Sequence, residues 1–286
     1  MEMLCRFGPV TVLFQNLPLD PLWPFWSWKL DSFRIESGIP DLTVDYTYHS
    51  IIPVDKPIWE SAEAQVSRAV YRLADGTMVW QQTNAVSQAI QLQFTVSADW
   101  SKITLTQDDS YTEGMGAFES LTFLIYYAFL HKNVITFHGV LLEVDGRGIL
   151  ICADSGVGKT THARLWRDHK NALIINGDRA ACYRKHGQWL GFGTPWCGTS
   201  GEYLNRIVPL RAAVILARGT ENRVSNINEM SLLHHTVYPG WDKETTEAMI
   251  SLLDDFLKNV PLLRLECTPD LSAVEVLNQA LENLPL

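Results

Sequence analysis

The sequence has few cysteines and no cluster of basic residues. Its five cysteines are scattered and odd in number, and their spacing fits no metal-binding pattern, so we expect reduced thiols and no disulfide framework. Lysine and arginine are not concentrated anywhere, and the 286-residue chain carries a formal net charge of −9. Because a phosphate backbone demands a basic surface, this charge argues against nucleic-acid binding.

The sequence also lacks a long apolar run. The most apolar helix candidate, Leu121 to Leu130, is too short to span a bilayer, and the polar residues His131 and Lys132 follow it. It predicts a buried helix instead. The first residues lack the basic segment and apolar run of a secretory signal. We therefore expect a cytoplasmic protein with no membrane association.

What is present is an ordinary globular composition with many aromatic residues. Hydrophobic residues make up 47% and charged residues 19% of the chain, whose length permits one large domain or two small ones. Three of the ten tryptophans, Trp23, Trp26 and Trp28, lie close to Phe25. This group could form a ligand surface, but large rings more often plug the edge of a sheet core, and we favour that interpretation.

The first part of the chain has the pattern of a β-rich region. Short runs of β-branched and aromatic residues predict strands at Val10 to Phe14, Leu42 to Tyr48, Ala69 to Leu73, Met78 to Gln82, Ile90 to Val96 and Lys102 to Thr106. Asp75-Gly76 predicts a hairpin turn, and the prolines between residues 18 and 57 predict loops. The pattern changes near Tyr111, so we divide the chain into residues 1–110 and 111–286. The first region either forms its own domain or extends the core sheet.

The second region alternates between strands and helices. Helices are predicted at Glu113 to His131, from the end of the motif described below to His169, and at Ser231 to Tyr238, Lys243 to Lys258 and Leu271 to Glu282. Strands are predicted at Ile135 to Glu143, Gly148 to Cys152, Ala172 to Asn176, Ala180 to Tyr183, Trp189 to Gly191, Val208 to Leu216 and Leu262 to Glu266. The order predicts an α/β fold with a mixed sheet and a helical C-terminal third.

One segment carries a recognisable chemical signature. Residues 153–160 read Ala-Asp-Ser-Gly-Val-Gly-Lys-Thr, which matches the phosphate-binding loop G-x-x-x-x-G-K-[ST] except for Ala153. The predicted strand before it and helix after it supply the required context, because the backbone N–H groups of the turn and the helix dipole hold a polyphosphate. We expect nucleotide contacts from Asp154, Ser155, Gly156, Val157, Gly158, Lys159, Thr160 and Thr161. Lys159 would reach the β- and γ-phosphates, and the Thr160 hydroxyl would bind Mg²⁺.

The segment from His138 to Thr160 resembles the catalytic segment of the HPr kinase/phosphorylase family, in which a His-Gly strand, a hairpin and a second strand also lead into the phosphate loop. The phosphoenolpyruvate carboxykinases have a related loop and core. The resemblance is specific over about residues 137–178. It implies a P-loop kinase core of the HPr kinase/carboxykinase type, here preceded by a β-rich N-terminal region. The first hundred residues do not resemble the N-terminal domain of the bifunctional enzyme, so we expect a related protein with a different substrate.

The resemblance also implies roles for single residues. His138 matches the family's active-site histidine, Lys159 the phosphate lysine and Thr160 the metal-binding hydroxyl residue. The family then carries two consecutive aspartates, one a metal ligand and the other a general base. Here Asp178 matches the second aspartate, while Gly177 replaces the first. We assign His138, Lys159 and Asp178 as catalytic residues and Thr160 and Asp178 to the metal. The base could be His138, Asp178 itself or a residue outside the motif.

Several other residues allow two interpretations. Arg179 either clamps a phosphate or pairs with Asp178. The glycine-rich segment from Gly191 to Tyr203 either approaches a ligand, with Thr199 and Ser200 as donors, or connects two strands while Trp196 packs inward; we favour a ligand slightly. For Arg206 and Arg211 we favour surface charges over a functional role. We place the His234-His235 and Asp254-Asp255 pairs on solvated or capped helix faces.

Together these features predict an ATP-dependent, Mg²⁺-requiring kinase that transfers the γ-phosphate to a hydroxyl group. The acceptor would be a serine or threonine of a peptide or small protein, or a small metabolite. The alternative is an ATP-binding regulator without turnover, which Gly177 supports. A phosphorylase-like or carboxykinase-like enzyme ranks last. The choice of ATP over GTP and the expectation of a homo-oligomer follow from the resemblance alone.

Overall fold

The computed structural model describes residues 1–19, 22–51, 53, 56–108, 114–227, 229–238 and 240–285. These residues form a mixed α/β protein that divides into two units. One unit comprises Met1–Lys132 and Pro239–Thr246, and the other comprises Asn133–Tyr238 and Glu247–Leu286. The boundary that we predicted near residue 110 lies outside the described residues, and the division into 1–110 and 111–286 stays a prediction.

The first unit contains a mixed eight-stranded sheet. Its strands are β1 (Met3–Phe7), β2 (Val10–Gln15), β3 (Leu42–Tyr46), β4 (Trp59–Ala62), β5 (Val66–Arg72), β6 (Met78–Asn84), β7 (Ile90–Val96) and β8 (Lys102–Gln107). The order across the sheet is β1-β2-β3-β8-β7-β6-β5-β4. β3 runs parallel to both of its neighbours, β2 and β8, and the other pairs are antiparallel. The six strands that we predicted here are confirmed, whereas β1 and β4 were missed.

The first helix corrects a prediction made from proline. Helix α1 (Leu22–Leu30) lies where Pro24 predicted a loop, whereas Pro21 lies outside the described residues. Pro24 is the third residue of the helix, and in the first turn the missing N–H needs no partner within the helix. The Trp26 ring is fully buried, with its centroid 6.0 Å from that of Phe14 and 5.3 Å from that of Phe118. Part of the aromatic group thus belongs to the core as expected.

The second helix, α2 (Gly114–Leu130), confirms the predicted buried helix. Its predicted first residue, Glu113, lies outside the described residues. Residues are buried on all sides of its C-terminal half, from Leu124 to Leu130. Among the helices that the structure describes, none has both the length and the apolar content needed to cross a membrane.

The second unit contains a mixed sheet and most of the helices. Its strands are β9 (Val134–Val144), β10 (Arg147–Cys152), β11 (Leu173–Asn176), β12 (Arg179–Lys185), β13 (Gln188–Phe192), β14 (Ile207–Arg218), β15 (Arg223–Asn226) and β16 (Leu262–Cys267). The helices that follow α2 are α3 (Lys159–Lys170), α4 (Lys243–Asn259) and α5 (Leu271–Glu282). All the strands that we predicted in this region are confirmed, and β15 was missed.

Strand β10 has a neighbouring strand on each of its two edges. On one edge β10 pairs antiparallel with β9, which in turn pairs antiparallel with β12. On the other edge β10 runs parallel to β14, and β14 runs parallel to β16. The carboxyl ends of β10, β14 and β16 therefore meet at one edge of the sheet, which is where ligands of α/β proteins usually bind.

Helices α3 and α5 cover a core centred on β10 and β14. Trp166 of α3 and Leu277 of α5 are fully buried in one apolar cluster with Ile151 and Val214. This packing anchors the helix that follows the 153–160 segment. One helix prediction was wrong: instead of a helix over Ser231 to Tyr238, a 3-10 helix spans Glu229–His235, and the next residue, Thr236, pairs with Phe137 of β9.

Candidate functional site

The 153–160 segment forms a turn between β10 and α3. Gly156 has φ 77° and Gly158 has φ 123°, which are backbone conformations that glycine adopts readily. A Cβ atom at either position would meet no atom within 4 Å, so conformation rather than space requires glycine here. The φ angle of Ala153 is not positive, so alanine can replace the first glycine of the motif without backbone strain.

The N-terminus of α3 follows directly from this turn. Gly158 is the N-cap residue and has no side chain to accept from the first-turn N–H groups, so these donors remain open to an anion. Asp154, Ser155 and Gly156 are exposed, and Thr160 and Thr161 lie in the first turn of the helix. The predicted nucleotide-contacting residues therefore share one solvent-accessible turn.

Lys159 connects this turn to His138. Its Nζ atom donates to the Ala153 carbonyl at 2.7 Å and lies 3.2 Å from Nε2 of His138. An ammonium group has only donors, so Nε2 must present its lone pair and the proton of the neutral ring is on Nδ1. That Nδ1 atom lies 3.4 Å from Oδ1 of Asp178. The three residues that we predicted to be catalytic thus form a continuous chain of polar contacts.

The environment of His138 keeps its imidazole neutral. Burial lowers the pKa of His138 below its usual value, and the charges of Lys159 and Arg179 act in the same direction, while Asp178 opposes them. A neutral imidazole can accept a proton at Nε2 once Lys159 no longer contacts that atom. The side chain is still 42% exposed, so a substrate can reach it.

The register between β9 and its neighbours β10 and β12 explains why His138, Lys159 and Asp178 lie close together. His138 and Gly139 pair with Arg179 of β12, and Gly139 also pairs with Cys152 at the end of β10. The Gly139 N–H donates to the Asp178 carbonyl at 2.8 Å. A Cβ atom on Gly139 would lie 2.8 Å from the Cys152 Sγ atom, so this glycine permits the close approach of β9 and β10.

Asn176 fixes the backbone that carries Asp178, a role that our sequence analysis missed. This fully buried side chain accepts at Oδ1 from the N–H groups of Asp178 at 3.0 Å and Arg179 at 2.7 Å. Its Nδ2 atom donates to the carbonyls of Thr194 at 3.0 Å and Trp196 at 3.3 Å. The Asn-Gly-Asp sequence could have signalled this turn, because asparagine side chains commonly bond the backbone two residues on.

Gly177, which replaces the first acid of the family pattern, lies against Ser200. A Cβ atom on Gly177 would be 2.1 Å from Ser200 Oγ and 2.7 Å from Ser200 Cβ. The Ser200 hydroxyl donates to the Cys197 carbonyl at 2.6 Å and accepts from the Glu202 N–H at 3.3 Å. The serine therefore occupies the space into which an aspartate at position 177 would extend.

The glycine-rich segment from Gly191 to Tyr203 approaches Asp178 while its aromatic residue packs inward. Trp196 is fully buried, which matches the connector interpretation. Gly198 nevertheless lies so close to Asp178 that a Cβ atom there would be 2.4 Å from Oδ2. Thr199 is exposed and Ser200 is half-buried. The segment thus forms one wall of the site beside Asp178.

The arginines separate into two groups. Arg179 lies beside Asp178, with Nε 3.5 Å from Oδ2, and Arg218 donates from Nη2 to the Gly156 carbonyl at 2.6 Å. Arg206 instead pairs with the buried carboxylate of Glu143, and Arg211 donates to carbonyls at the C-terminal end of α5. The contact of Arg218 joins residues 62 positions apart, so no local sequence signal indicated it.

The position of His235 corrects a prediction made from the sequence. We expected the His234-His235 pair on a solvated or capped face; His234 is exposed, but His235 is only 6% exposed. The antiparallel bridge between Phe137 and Thr236 sets His235 opposite His138. Burial lowers the pKa of His235. The charge of Asp154 raises this pKa, and the charges of Lys159 and His138 lower it. Two neutral imidazoles therefore lie beside the 153–160 turn.

The two residues predicted to bind a metal ion, Thr160 and Asp178, are compatible with Mg²⁺. Within the described part of the chain, no group of three or more His, Cys, Asp or Glu side chains is arranged to hold a metal ion. Mg²⁺ typically keeps several waters and binds through one or two carboxylates together with substrate phosphates. The single carboxylate of Asp178 and the hydroxyl of Thr160 are compatible with that mode of binding.

Comparisons with known proteins give distant matches. The chain is 31% identical over 112 residues to an HPr kinase/phosphorylase of Pediococcus pentosaceus, covering 37% of this chain and 32% of that protein. It is 28% identical over 140 residues to an HPr kinase/phosphorylase of Caldanaerobacter subterraneus subsp. tengcongensis, covering 47% and 44% respectively. The chain thus spans less than half the length of these curated relatives. No protein-family model matches it.

A search of solved structures finds the HPr(Ser) kinase/phosphatase of Coxiella burnetii, with a TM-score of 0.31 and 15% identity, covering 51% of this chain and 97% of that one. The sequence matches show that the chain is a distant relative of the HPr kinase/phosphorylase family.

Proposed function

We propose that this protein is an ATP-dependent kinase that transfers the γ-phosphate to a hydroxyl group. The observation that carries the proposal is the contact chain Lys159–His138–Asp178 at the edge of an open helix N-terminus. A turn that would bind phosphate, a lysine, a neutral imidazole and a carboxylate would then lie within reach of the same reacting group. The two relatives named HPr kinase/phosphorylase support the same reaction class.

The 153–160 segment would act as the phosphate-binding loop. Its backbone N–H groups and the uncapped N-terminus of α3 would hold the triphosphate. On binding, Lys159 would exchange the Ala153 carbonyl and His138 Nε2 for the β- and γ-phosphates, because a charged acceptor is the stronger partner for an ammonium group. This exchange would also release the Nε2 lone pair of His138.

His138 is then the general base that we favour among the alternatives. Its Nε2 atom would take the proton of the acceptor hydroxyl, while Asp178 at Nδ1 would hold the tautomer and stabilise the imidazolium that forms. In this way one carboxylate can serve a site from which the first acid is missing. Arg179, beside Asp178, would add positive charge near the transferred phosphoryl group.

Mg²⁺ would neutralise phosphate charge in this site. Thr160 and Asp178 are the residues that would hold the ion, through a hydroxyl and a carboxylate oxygen. Asp178 can take part in both roles because a carboxylate offers about four acceptor positions on two oxygens. The ion would arrive with the nucleotide.

The names of the two relatives, both HPr kinase/phosphorylase, support a protein acceptor. We propose a serine or threonine of a peptide or small protein as the acceptor, with a small hydroxylated metabolite as the other chemistry that the site would accept. We propose neither nucleic acid nor a membrane as a partner, and the net charge of −9 argues against nucleic acid.

A regulator that binds ATP without turnover is the second candidate. The observation that favours it is Gly177, because Ser200 fills the space of the acid that the family pattern has there. A regulator would bind ATP without transferring its phosphate, and its function would survive Asp178→Asn as long as ATP still binds.

The experiment that separates the two uses ATP labelled on the γ-phosphate. Purified protein with Mg²⁺ would be incubated with an extract of the source cells, beside the Lys159→Ala variant. A labelled protein, peptide or metabolite that appears with the wild type alone establishes the kinase and begins to identify its acceptor. ATP binding with neither transfer nor hydrolysis supports the regulator and overturns the kinase.

A further inference from the structure

The phosphoryl-transfer chemistry proposed above gives no role to His235. Its side chain is 6% exposed, and no hydrogen bond joins either ring nitrogen to another residue in the described part of the chain. Neither nitrogen is among the polar atoms that are sealed from solvent without a partner. Since buried polar groups are normally hydrogen-bonded, these nitrogens fit a partner that comes from outside the chain.

His235 lies where β10 leaves the edge of β9. β10 pairs with this edge as far as Gly139, and the chain then turns into the 153–160 segment. Further along β9, Phe137 pairs with Thr236 on the same edge, because β12 occupies the other edge. His235 directly precedes Thr236, so it lies between that bridge and the start of the 153–160 segment.

The side chains of His235 and His138 lie on the same face. Residues directly opposite each other in an antiparallel pair share a face, with Cβ atoms about 4.5–5.5 Å apart. The charges of Asp154, Lys159 and His138 all act on the His235 ring, which is independent evidence that it lies beside the 153–160 turn. Burial lowers the pKa of His235, so the ring is neutral and carries one N–H donor.

The two edges of β9 place donors on opposite sides of His138. Arg179 belongs to the β12 edge, and His235 belongs to the edge that β10 leaves. Lys159 contacts His138 at Nε2, so a γ-phosphate bound by Lys159 would lie between these two edges. In phosphoryl transfer, negative charge is spread over three equatorial oxygens of the transferred group. Donors on Lys159, Arg179 and His235 would approach these oxygens from three directions.

We propose that His235 is a catalytic residue, whose ring N–H donates a hydrogen bond to an oxygen of the phosphoryl group during its transfer. The histidine forms no covalent bond and gives up no proton, since the group passes from ATP directly to the acceptor hydroxyl. The inference rests on the proposed function, because it assumes that the 153–160 turn binds the triphosphate. It gives the reaction a donor that lies outside the phosphate-binding motif.

The test separates the γ-phosphate from the rest of the nucleotide. Isothermal titration would measure the binding of MgADP and of the magnesium complex of the β,γ-imido analogue of ATP, which keeps a γ-phosphate but resists transfer. His235→Phe and His235→Ala remove the ring N–H, with and without a ring in its place. His235→Asn keeps a side-chain N–H donor. His234→Ala is the matched control at the exposed neighbouring position.

We expect His235→Phe and His235→Ala to weaken binding of the analogue by about tenfold, since one hydrogen bond to a charged group is lost. MgADP binding should change by less than about twofold, which is within the scatter of remote substitutions. Transfer of labelled γ-phosphate should fall by about 10²-fold, as for the loss of one donor to developing charge. His235→Asn should retain part of both activities, and His234→Ala should leave them unchanged.

Two results overturn the inference while the proposed function stands. One is unchanged analogue binding and transfer in the variants without the donor, and the other is an equal loss of analogue and MgADP binding, which would mark a structural role. Because two variants remove the donor, the test holds if one of them fails to fold. A wild-type protein that binds neither nucleotide overturns the proposed function itself, so the two failures are distinguishable.

Discussion

Introducing the missing acid by Gly177→Asp should damage this protein rather than improve it. In the family pattern an aspartate stands at this position, so restoring it looks favourable from the sequence. In the structure, an added Cβ atom would lie 2.1 Å from Ser200 Oγ and 2.7 Å from Ser200 Cβ, well inside van der Waals contact. Ser200 cannot easily move, because its hydroxyl is bonded to Cys197 and Glu202.

The magnitude follows from the overlap. Forcing extra atoms into a packed site typically costs about 1–3 kcal/mol, and here the 198–202 loop would have to shift as well. Gly177→Ala should lower stability by a similar amount, since the Cβ atom alone makes the contact. Phosphoryl transfer by Gly177→Asp should be equal to or below that of the wild type, because the displaced loop includes Gly198, which packs on Asp178.

The assay combines urea denaturation with a transfer assay for four proteins. These are the wild type, Gly177→Asp, Ser200→Gly and the double variant Gly177→Asp/Ser200→Gly. Ser200→Gly removes both clashing atoms, so the double variant should recover most of the stability that Gly177→Asp loses, which is a positive coupling in a double-mutant cycle. A Gly177→Asp protein that is as stable as the wild type and transfers phosphate faster would refute this reasoning.

Three further predictions concern residues around His138 and Asp178. Because burial lowers the pKa of His138, the transfer rate should be constant near neutral pH and fall as the pH drops below that lowered pKa. His138→Gln should reduce the transfer rate by about 10²–10⁴-fold and abolish this decrease at low pH in a pH–rate profile. Asn176→Ala should lower the free energy of unfolding by about 1–3 kcal/mol and reduce transfer, as urea denaturation and rate assays would show, because buried donors lose their partner. His235→Ala should reduce transfer, whereas His234→Ala, at the exposed neighbouring position, should leave transfer and stability within about 0.5 kcal/mol of the wild type; equal effects of the two would contradict the placement of His235.

The parts of the fold that the sequence predicted are those set by local patterns. The strands of the second unit are short apolar runs, and the Asp145-Gly146 turn leads β9 back beside β10, which brings His138 next to Lys159. The α1 helix was missed because prolines usually interrupt helices, although the first turn tolerates them. The roles assigned to His138, Lys159 and Asp178 stay predictions, and the proposed function builds on them.

The residues that escaped prediction depend on contacts between distant parts of the chain. His235 reaches the site through one bridge between β9 and the segment after the 3-10 helix, and Arg218 through a contact 62 residues away. The importance of Gly177 is likewise visible only where Ser200 folds against it. No periodicity or motif encodes such contacts, because they depend on how separate strands and loops pack together.

The most direct test of the central claim measures ATP binding and γ-phosphate transfer on the same samples of wild type, Asp178→Asn and Asp168→Asn. Asp168 is an exposed residue of α3 that pairs with Arg167, so it is a matched control for the loss of one carboxylate. All three proteins should bind ATP, and Asp178→Asn alone should lose transfer. Transfer by Asp178→Asn at the rate of the wild type would contradict the central claim.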